Sequence, residues 1–511
     1  MVQPHRAERR LRALRPMPPH APRPDLVLDL LARFGQQQIC YCYWKGTEKL
    51  AGALGGEGDL DLLVSRADHG RAQAILLSAG FKFFPSVRDR EPVGVFTYLG
   101  FDEGHGRLVH VHLHTRLVSG GPLTRHWHLP WEEAVLARAV SHEHLPVRHL
   151  DPASEALLLL TRCCLECGGW DPVSLRRGRA QRAAFATARQ GLRGKVSRED
   201  LYALAAALLP DDLAVAFSDA LNGPLPDRHS PLGRAIRHHL ADGARAYNGT
   251  ESALRSAGRS MSWLLGRFNR DVVQLPRPWN RRPAAGGLVV ALVGVDGSGK
   301  STLLSALTQW LSPKFDVLPI YFGTGDGRPS LVLRPLKWLL PLATRAAGSK
   351  PRVASHGKPS AAAPSFAYGL LLTVWALAVA ADKRAKLAAA WRGANRGLLV
   401  LTDRYPQCES RRFNDGPLLE RLPAVPGWLR RHERAVYERA RRLPPHLVLK
   451  LLAAPESLAL REPAMDPTVI RQRLDALSGL AFGGADIVCL DADRPLEEVI
   501  LRAKREIWQR L

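Results

Sequence analysis

LVVALVGVDGSGKS, residues 288–301, decides the fold of the C-terminal part of this chain. It opens with a continuous apolar run, as a strand buried on both faces requires. Residues 294–301 then fit G-x-x-x-x-G-K-[ST], and Leu303, Leu304, Leu307, Trp310 and Leu311 follow at helical spacing. Strand, glycine loop and helix in that order form a phosphate cradle. Gly294, Gly297, Ser298 and Gly299 let successive backbone N–H groups curl round phosphate oxygens, with Thr302 beside them in the first helical turn. Lys300 reaches the β and γ oxygens and Ser301 supplies a hydroxyl for Mg²⁺, so ATP and Mg²⁺ are the expected cofactors.

A second apolar strand, GLLVLTDRY (397–405), carries Asp403 and Arg404 to its C-terminal end, where open α/β sheets place their ligand crevice. Asp403 is expected to hold the Mg²⁺ shell or orient the attacking oxygen, and Arg404 to clamp the transferred phosphoryl group. Lys300, Asp403 and Arg404 are the candidate catalytic residues of this region.

These stretches, together with AADKRAKLAAA (380–390), HLVLKLLAAPESLALR (446–461) and LDADRPLEEV (490–499), resemble the thymidylate kinase family of nucleotide monophosphate kinases over about residues 288–511. The resemblance implies that Asp296 faces an acceptor hydroxyl and that Arg404 and Tyr405 of the DRY motif lie at the acceptor. It also implies that Arg471 or Arg473 acts as a lid arginine. Where that family carries a Thr-Arg-Glu-Pro turn for its acceptor, this chain has YFGTGDGRPS (321–330). A basic segment free of acids, 346–365, reads as an insertion or lid. Both departures point away from thymidylate and toward another phosphorylated or hydroxyl-bearing acceptor, and the resemblance to divergent members of the family implies a sugar or glycan-linked one.

Upstream, WKGT (44–47), eleven residues, then DLDLL (59–63) puts Gly46 and Thr47 before a helix and Asp59 and Asp61 on one face of a strand, as paired metal ions would need. This resembles the nucleotidyltransferase superfamily related to DNA polymerase β, over about residues 39–117. By that resemblance Asp59 and Asp61 are catalytic metal ligands and Gly46 and Thr47 bind substrate. Where the superfamily supplies a third carboxylate, VHLHTRL has His112. His110, His112 and His114 share one strand face, either ligating a metal themselves or forming a solvated neutral face.

The expected fold class is α/β: a C-terminal P-loop parallel sheet flanked by helices, an N-terminal α+β nucleotidyltransferase-like domain, and a helical middle region. The boundaries read as a disordered tail over 1–24, an α+β domain over 25–150, helices over 151–270, a Pro- and Arg-rich linker over 271–285 and the P-loop domain over 286–511. Lys and Arg number 72 against 48 Asp and Glu, a formal charge of +24, which favours anionic partners. No block alternates basic with aromatic residues, which argues against nucleic acid as the main ligand. Seven scattered cysteines do not form a disulfide framework and imply a reducing cytoplasm. Cys163, Cys164 and Cys167 fall in an apolar helical pattern and read as core. The longest strongly apolar run, 366–381, is shorter than a bilayer core and reads as a buried helix, so no transmembrane segment is expected.

Two function classes follow. The first is an ATP- and Mg²⁺-dependent phosphotransferase acting on a small-molecule or glycan acceptor and joined to a nucleotidyltransferase-like domain, with the oligomeric state, a dimer included, left open. The second is a regulatory or scaffolding protein switched by nucleotide, with a degenerate nucleotidyltransferase domain. Guanine-specific Asn-Lys-x-Asp and ABC-type signatures are absent from the sequence.

Overall fold

The computed structural model describes residues 25–87, 91–121, 123–241, 243–323, 366–410, 413, 416–421 and 425–511. The tail at 1–24, the insertion at 346–365 and most of the acceptor turn (324–330) lie outside the described residues. The protein is mixed α/β and divides into two compact units, residues 1–83 with 90–260 and residues 84–89 with 261–511.

In the first unit the strands are β1 (Tyr41–Tyr43), β2 (Asp59–Val64), β3 (Lys82–Phe83), β4 (Val95–Asp102), β5 (Arg107–His114), β6 (Leu117–Ser119), β7 (Trp127–Leu129), β8 (Val140–Ser141) and β9 (Arg148–His149). Seven of them form one sheet in the order β3-β4-β5-β2-β1-β9-β8, while β6 and β7 pair separately. Strand alternation sends Tyr41, Tyr43, Leu60, Leu62 and Val64 to one face, where they share a core with Leu30, Leu31 and Phe34 of helix α1 (Asp25–Gln36). Cys42 and Leu63 point the other way. They share a second core with α2 (Pro152–Glu166), α3 (Pro172–Leu192), α4 (Arg198–Ala206), α5 (Asp211–Ala220) and α6 (Pro231–His239).

Helix α2 is the centre of that second layer. Asp151 caps it by accepting from the Ser154 N–H, and Pro152 sits where no donor is needed. Its run ALLLLTRCC is buried on every side, because helices surround it as well as the sheet. The helices over 151–260 therefore share a compact unit with the N-terminal sheet. The boundary between the two compact units falls at 260, within helix α7 (Gly249–Phe268). Residues 84–89 also go to the second unit: Phe84 stacks near Phe315 (5.1 Å) and Val87 N–H donates to the Asn280 carbonyl at 2.8 Å.

The second unit is built on β10 (Leu288–Gly294), β11 (Val317–Tyr321), β12 (Leu399–Asp403), β13 (Leu447–Leu452) and β14 (Asp486–Asp491), in the order β11-β12-β10-β13-β14. Every neighbouring pair is parallel. Helices α8 (Lys300–Leu311), α9 (Phe366–Asn395), α10 (Gly427–Arg441) and α11 (Pro467–Ser478) are among those that accompany the sheet. Val289 to Val293 of β10 are fully buried, which explains the uninterrupted apolar run. The apolar segment 366–381 opens α9. Ala376, Val379 and Ala380 are buried there, but Leu370 and Val374 are 58% and 45% exposed, so burial is one-sided and not complete. No helix among the described residues is long and apolar enough to cross a membrane.

Candidate functional site

In the second unit the loop after β10 is shaped by two glycines in the left-handed region, Gly297 (φ +84°) and Gly299 (φ +90°). A Cβ on Gly299 would meet nothing within 4 Å among the described residues, so the backbone there borders open space. A Cβ on Gly294 would collide with the Ser298 hydroxyl, so only glycine allows the loop to close on itself. Helix α8 starts at Lys300, whose Nζ folds back to donate to the Val295 carbonyl at 2.9 Å.

Strand β12 lies beside β10 in parallel register, with Leu292 opposite Asp403. This brings Asp403 to the glycine loop, where its carboxylate accepts from the Ser301 hydroxyl at 3.0 Å. Arg404 follows with φ +68°, a left-handed conformation unusual for a residue with a Cβ, costing about 1 kcal/mol. That turn points its guanidinium back over the loop to Asp296 at 2.6 Å. Arg473 on α11 reaches the other oxygen of Asp296 at 3.2 Å, and Lys300 lies 3.8 Å from the same carboxylate. Three cations therefore converge on one carboxylate at the carboxyl ends of parallel strands.

Of the two proposed lid arginines, Arg473 is buried against Asp296, whereas Arg471 is exposed on the same helix. Tyr405 is 1% exposed, and its hydroxyl donates to the Leu443 carbonyl and accepts from the Trp391 indole at 3.2 Å. Burial pushes that phenol well above its ordinary range. Its bonds tie β12 to its neighbours and do not bring the hydroxyl to Asp296. The donor set fits MgATP: open backbone at the glycines, a lysine at the helix start, and two hard oxygen ligands, Ser301 and Asp403, side by side.

In the first unit the parallel register of β2 and β5 pairs Asp59 with His110, Asp61 with His112 and Leu63 with His114. The carboxylates and imidazoles share the sheet face of Leu63, which belongs to the core shared with α2. The histidine strand is accordingly not a solvated face: His110, His112 and His114 are 4%, 7% and 0% exposed. His110 Nδ1 lies 2.6 Å from Asp59, and His112 Nδ1 and His114 Nε2 each lie 3.1 Å from Asp61. Asp61 also pairs with the Lys45 ammonium at 2.7 Å. Burial alone would raise the Asp61 carboxyl, but Lys45 and the bonds from His112 and His114 reverse this and hold it well below the usual range. A Mg²⁺ pair on Asp59 and Asp61 fits this donor set poorly, since imidazoles stand where oxygen ligands are needed and an ammonium already occupies one carboxylate.

Gly46 adopts φ +103°, and Thr47 gives both its N–H and its hydroxyl to Glu155 of α2, each at 2.8 Å. Lys45 and Glu155 were not legible as site residues from spacing. The signal for Glu155 was an acid immediately before the apolar run of α2; for Lys45 there was only its place between Trp44 and Gly46.

Burial lowers His112 to about 3 and His114 to about 4 from an ordinary 6.5. The unfolded chain protonates these rings below about pH 6.5, while the folded chain refuses the protons until about pH 4 and 3. This contribution to stability is thus complete above pH 6.5 and falls as pH drops, by about 1.4 kcal/mol per pH unit for each ring. Urea midpoints of the first unit are expected to fall between pH 7 and pH 5, and the slope to flatten in His112→Gln. An unchanged midpoint in the wild-type chain would contradict the burial.

No family model matches the chain. It is similar to an Escherichia coli K12 protein named Uncharacterized ATP-binding protein YghS, with 28% identity over 223 residues, 43% of this chain and 92% of that protein. A second relative from the same strain, Uncharacterized ATP-binding protein YghR, is 26% identical over 227 residues, covering 43% of this chain and 86% of its own length.

Proposed function

We propose that the second unit is an ATP- and Mg²⁺-dependent phosphotransferase of the thymidylate kinase type, acting on a nucleotide, sugar or glycan-linked hydroxyl, and that the first unit is nucleotidyltransferase-like and serves a related molecule. The observation that carries the reading is Asp296, held by Arg404, Arg473 and Lys300 beside the glycine loop. A carboxylate held beside the phosphate loop at the carboxyl ends of the strands is placed to meet an acceptor hydroxyl. The names of the two relatives, both called ATP-binding, support the cofactor.

Bound MgATP would supply the γ-phosphoryl group and the divalent charge that neutralises it. The chain's own part is positional and electrostatic. Lys300 carries charge to the phosphates, Ser301 and Asp403 offer the metal two oxygens, and Asp296 orients the acceptor hydroxyl and accepts its proton. Arg404 and Arg473 keep Asp296 in place and present positive charge to the transferring group.

A screen of nucleotides, sugars and phosphosugars for labelling by [γ-³²P]ATP tests the proposal. One acceptor class is expected to label in a Mg²⁺-dependent way, and tight ATP binding with no labelling of any acceptor would favour a nucleotide-switched regulator. Because GTGDGRP replaces the acceptor turn of the thymidylate kinases, dTMP is expected to be poorer than the true acceptor by at least about 10²-fold in kcat/KM. Efficient dTMP phosphorylation would refute this specificity.

A further inference from the structure

We infer that Asp59, His110 and His112 bind one divalent transition-metal ion of the zinc class, with Asp61 behind them as the group that orients His112. The inference concerns the first unit and is independent of the phosphotransferase reading. One ligand atom from each of the three residues lies within 4.8 Å of the others. The parallel register of β2 and β5 sets this up, because residues two apart on each strand face the same side and meet their counterparts across the ladder. Two imidazoles and one carboxylate suit zinc and its neighbours, not a hard ion that demands oxygen.

A second triangle, Asp61, His112 and His114, meets the same spacing. There, however, Asp61 Oδ1 receives the Lys45 ammonium at 2.7 Å as well as His112 and His114, whereas in the first triangle Asp59 Oδ1 meets His110 Nδ1 at 2.6 Å, a hydrogen bond that an ion bound by both residues replaces. A dication on the Asp61 oxygen would sit against a full positive charge. Asp61 serves better in the outer layer: His112 gives its Nδ1 side to Asp61, which leaves Nε2 as the coordinating nitrogen. A carboxylate behind a ligating histidine fixes its tautomer and raises its basicity. Lys45 keeps that carboxylate charged.

The burial pattern indicates an open coordination position. The His110 and His112 side chains are 4% and 8% exposed, while Asp59 is 40% exposed. Solvent and small ligands therefore reach the ion from the Asp59 side, the arrangement of a reactive zinc site with three protein ligands and not of a closed structural one. The disagreement between these donors and the Mg²⁺ pair expected of a nucleotidyltransferase is thus resolved by a different metal.

The test uses the full-length chain, stripped with chelator and titrated with Co²⁺ and then Zn²⁺. One equivalent of Co²⁺ is expected, with the visible absorption of a nitrogen- and oxygen-ligated ion and no thiolate charge-transfer band. Zn²⁺ should displace it, and millimolar Mg²⁺ should not. Asp59→Ala changes a half-exposed residue at a strand start, so the fold is kept, checked by circular dichroism. This variant and His110→Gln are each expected to weaken binding at least about tenfold. Asp61→Asn is expected to weaken it without removing the absorption band. Failure to bind Co²⁺ or Zn²⁺ stoichiometrically would overturn the proposal, as would a preference for Mg²⁺. Binding that is unchanged in both Asp59→Ala and His110→Gln would also overturn it, placing the ion elsewhere, for instance at Cys163, Cys164 and Cys167.

Discussion

Lys300→Ala is expected to lose phosphoryl transfer to the detection limit, a fall of at least about 10²–10³-fold in turnover, while the second unit stays folded. The lysine's Nζ donates to the Val295 carbonyl, a bond worth about 1 kcal/mol, and lies 3.8 Å from Asp296, while alanine is an equally good start for helix α8. The lysine's catalytic contribution is large, because a fixed ammonium at the glycine loop meets charge that moves onto phosphate oxygens in the transition state. Turnover with the screened acceptor and the thermal midpoint measured together separate the two roles. A variant that melts normally and still turns over near the wild-type rate would remove Lys300 from the mechanism.

Asp296→Asn is expected to lose turnover without losing affinity for ATP. The amide keeps the shape and an oxygen for Arg404 and Arg473, but it cannot accept a proton, so the transfer rate should fall by about 10²–10⁴-fold. ATP affinity should hold or improve, since a negative charge beside Lys300 has been removed and three cations are left to meet the phosphates. Equal losses in ATP affinity and turnover would mean that Asp296 organises the loop and has no part with the acceptor.

The glycine loop and its strand were legible because their chemistry is local: phosphate binding needs a fixed spacing of glycine, lysine and hydroxyl, and the strand before it is buried on both faces. The assembly of Asp296 with Arg473 was not, since 177 positions separate them and only the packing of α11 chooses Arg473 over Arg471. In the first unit the alternation of Asp59, Asp61 and the three histidines was readable, but their environment was not. A period of two says which residues share a face and says nothing about what covers it. Burial, with Asp61 and Lys45 set against the rings, turns a histidine face into a network. Tyr405, next to Arg404 in sequence, is buried with its hydroxyl bonded to Leu443 and Trp391, and neither partner is signalled by the DRY spacing.

The all-parallel sheet of the second unit has a consequence for how the protein is made. Its central strand β10 ends at Gly294, yet its partners β12 and β13 begin at Leu399 and Leu447, more than a hundred residues later. A ribosome adding about 5–20 residues per second leaves that strand without either neighbour for roughly 5 to 20 seconds. No hairpin can shelter it meanwhile, because parallel strands cannot be joined by a tight turn. The apolar stretch VVALV is thus synthesised well before either strand that pairs with it, so newly made chains pass through a stage in which β10 lacks both ladder partners.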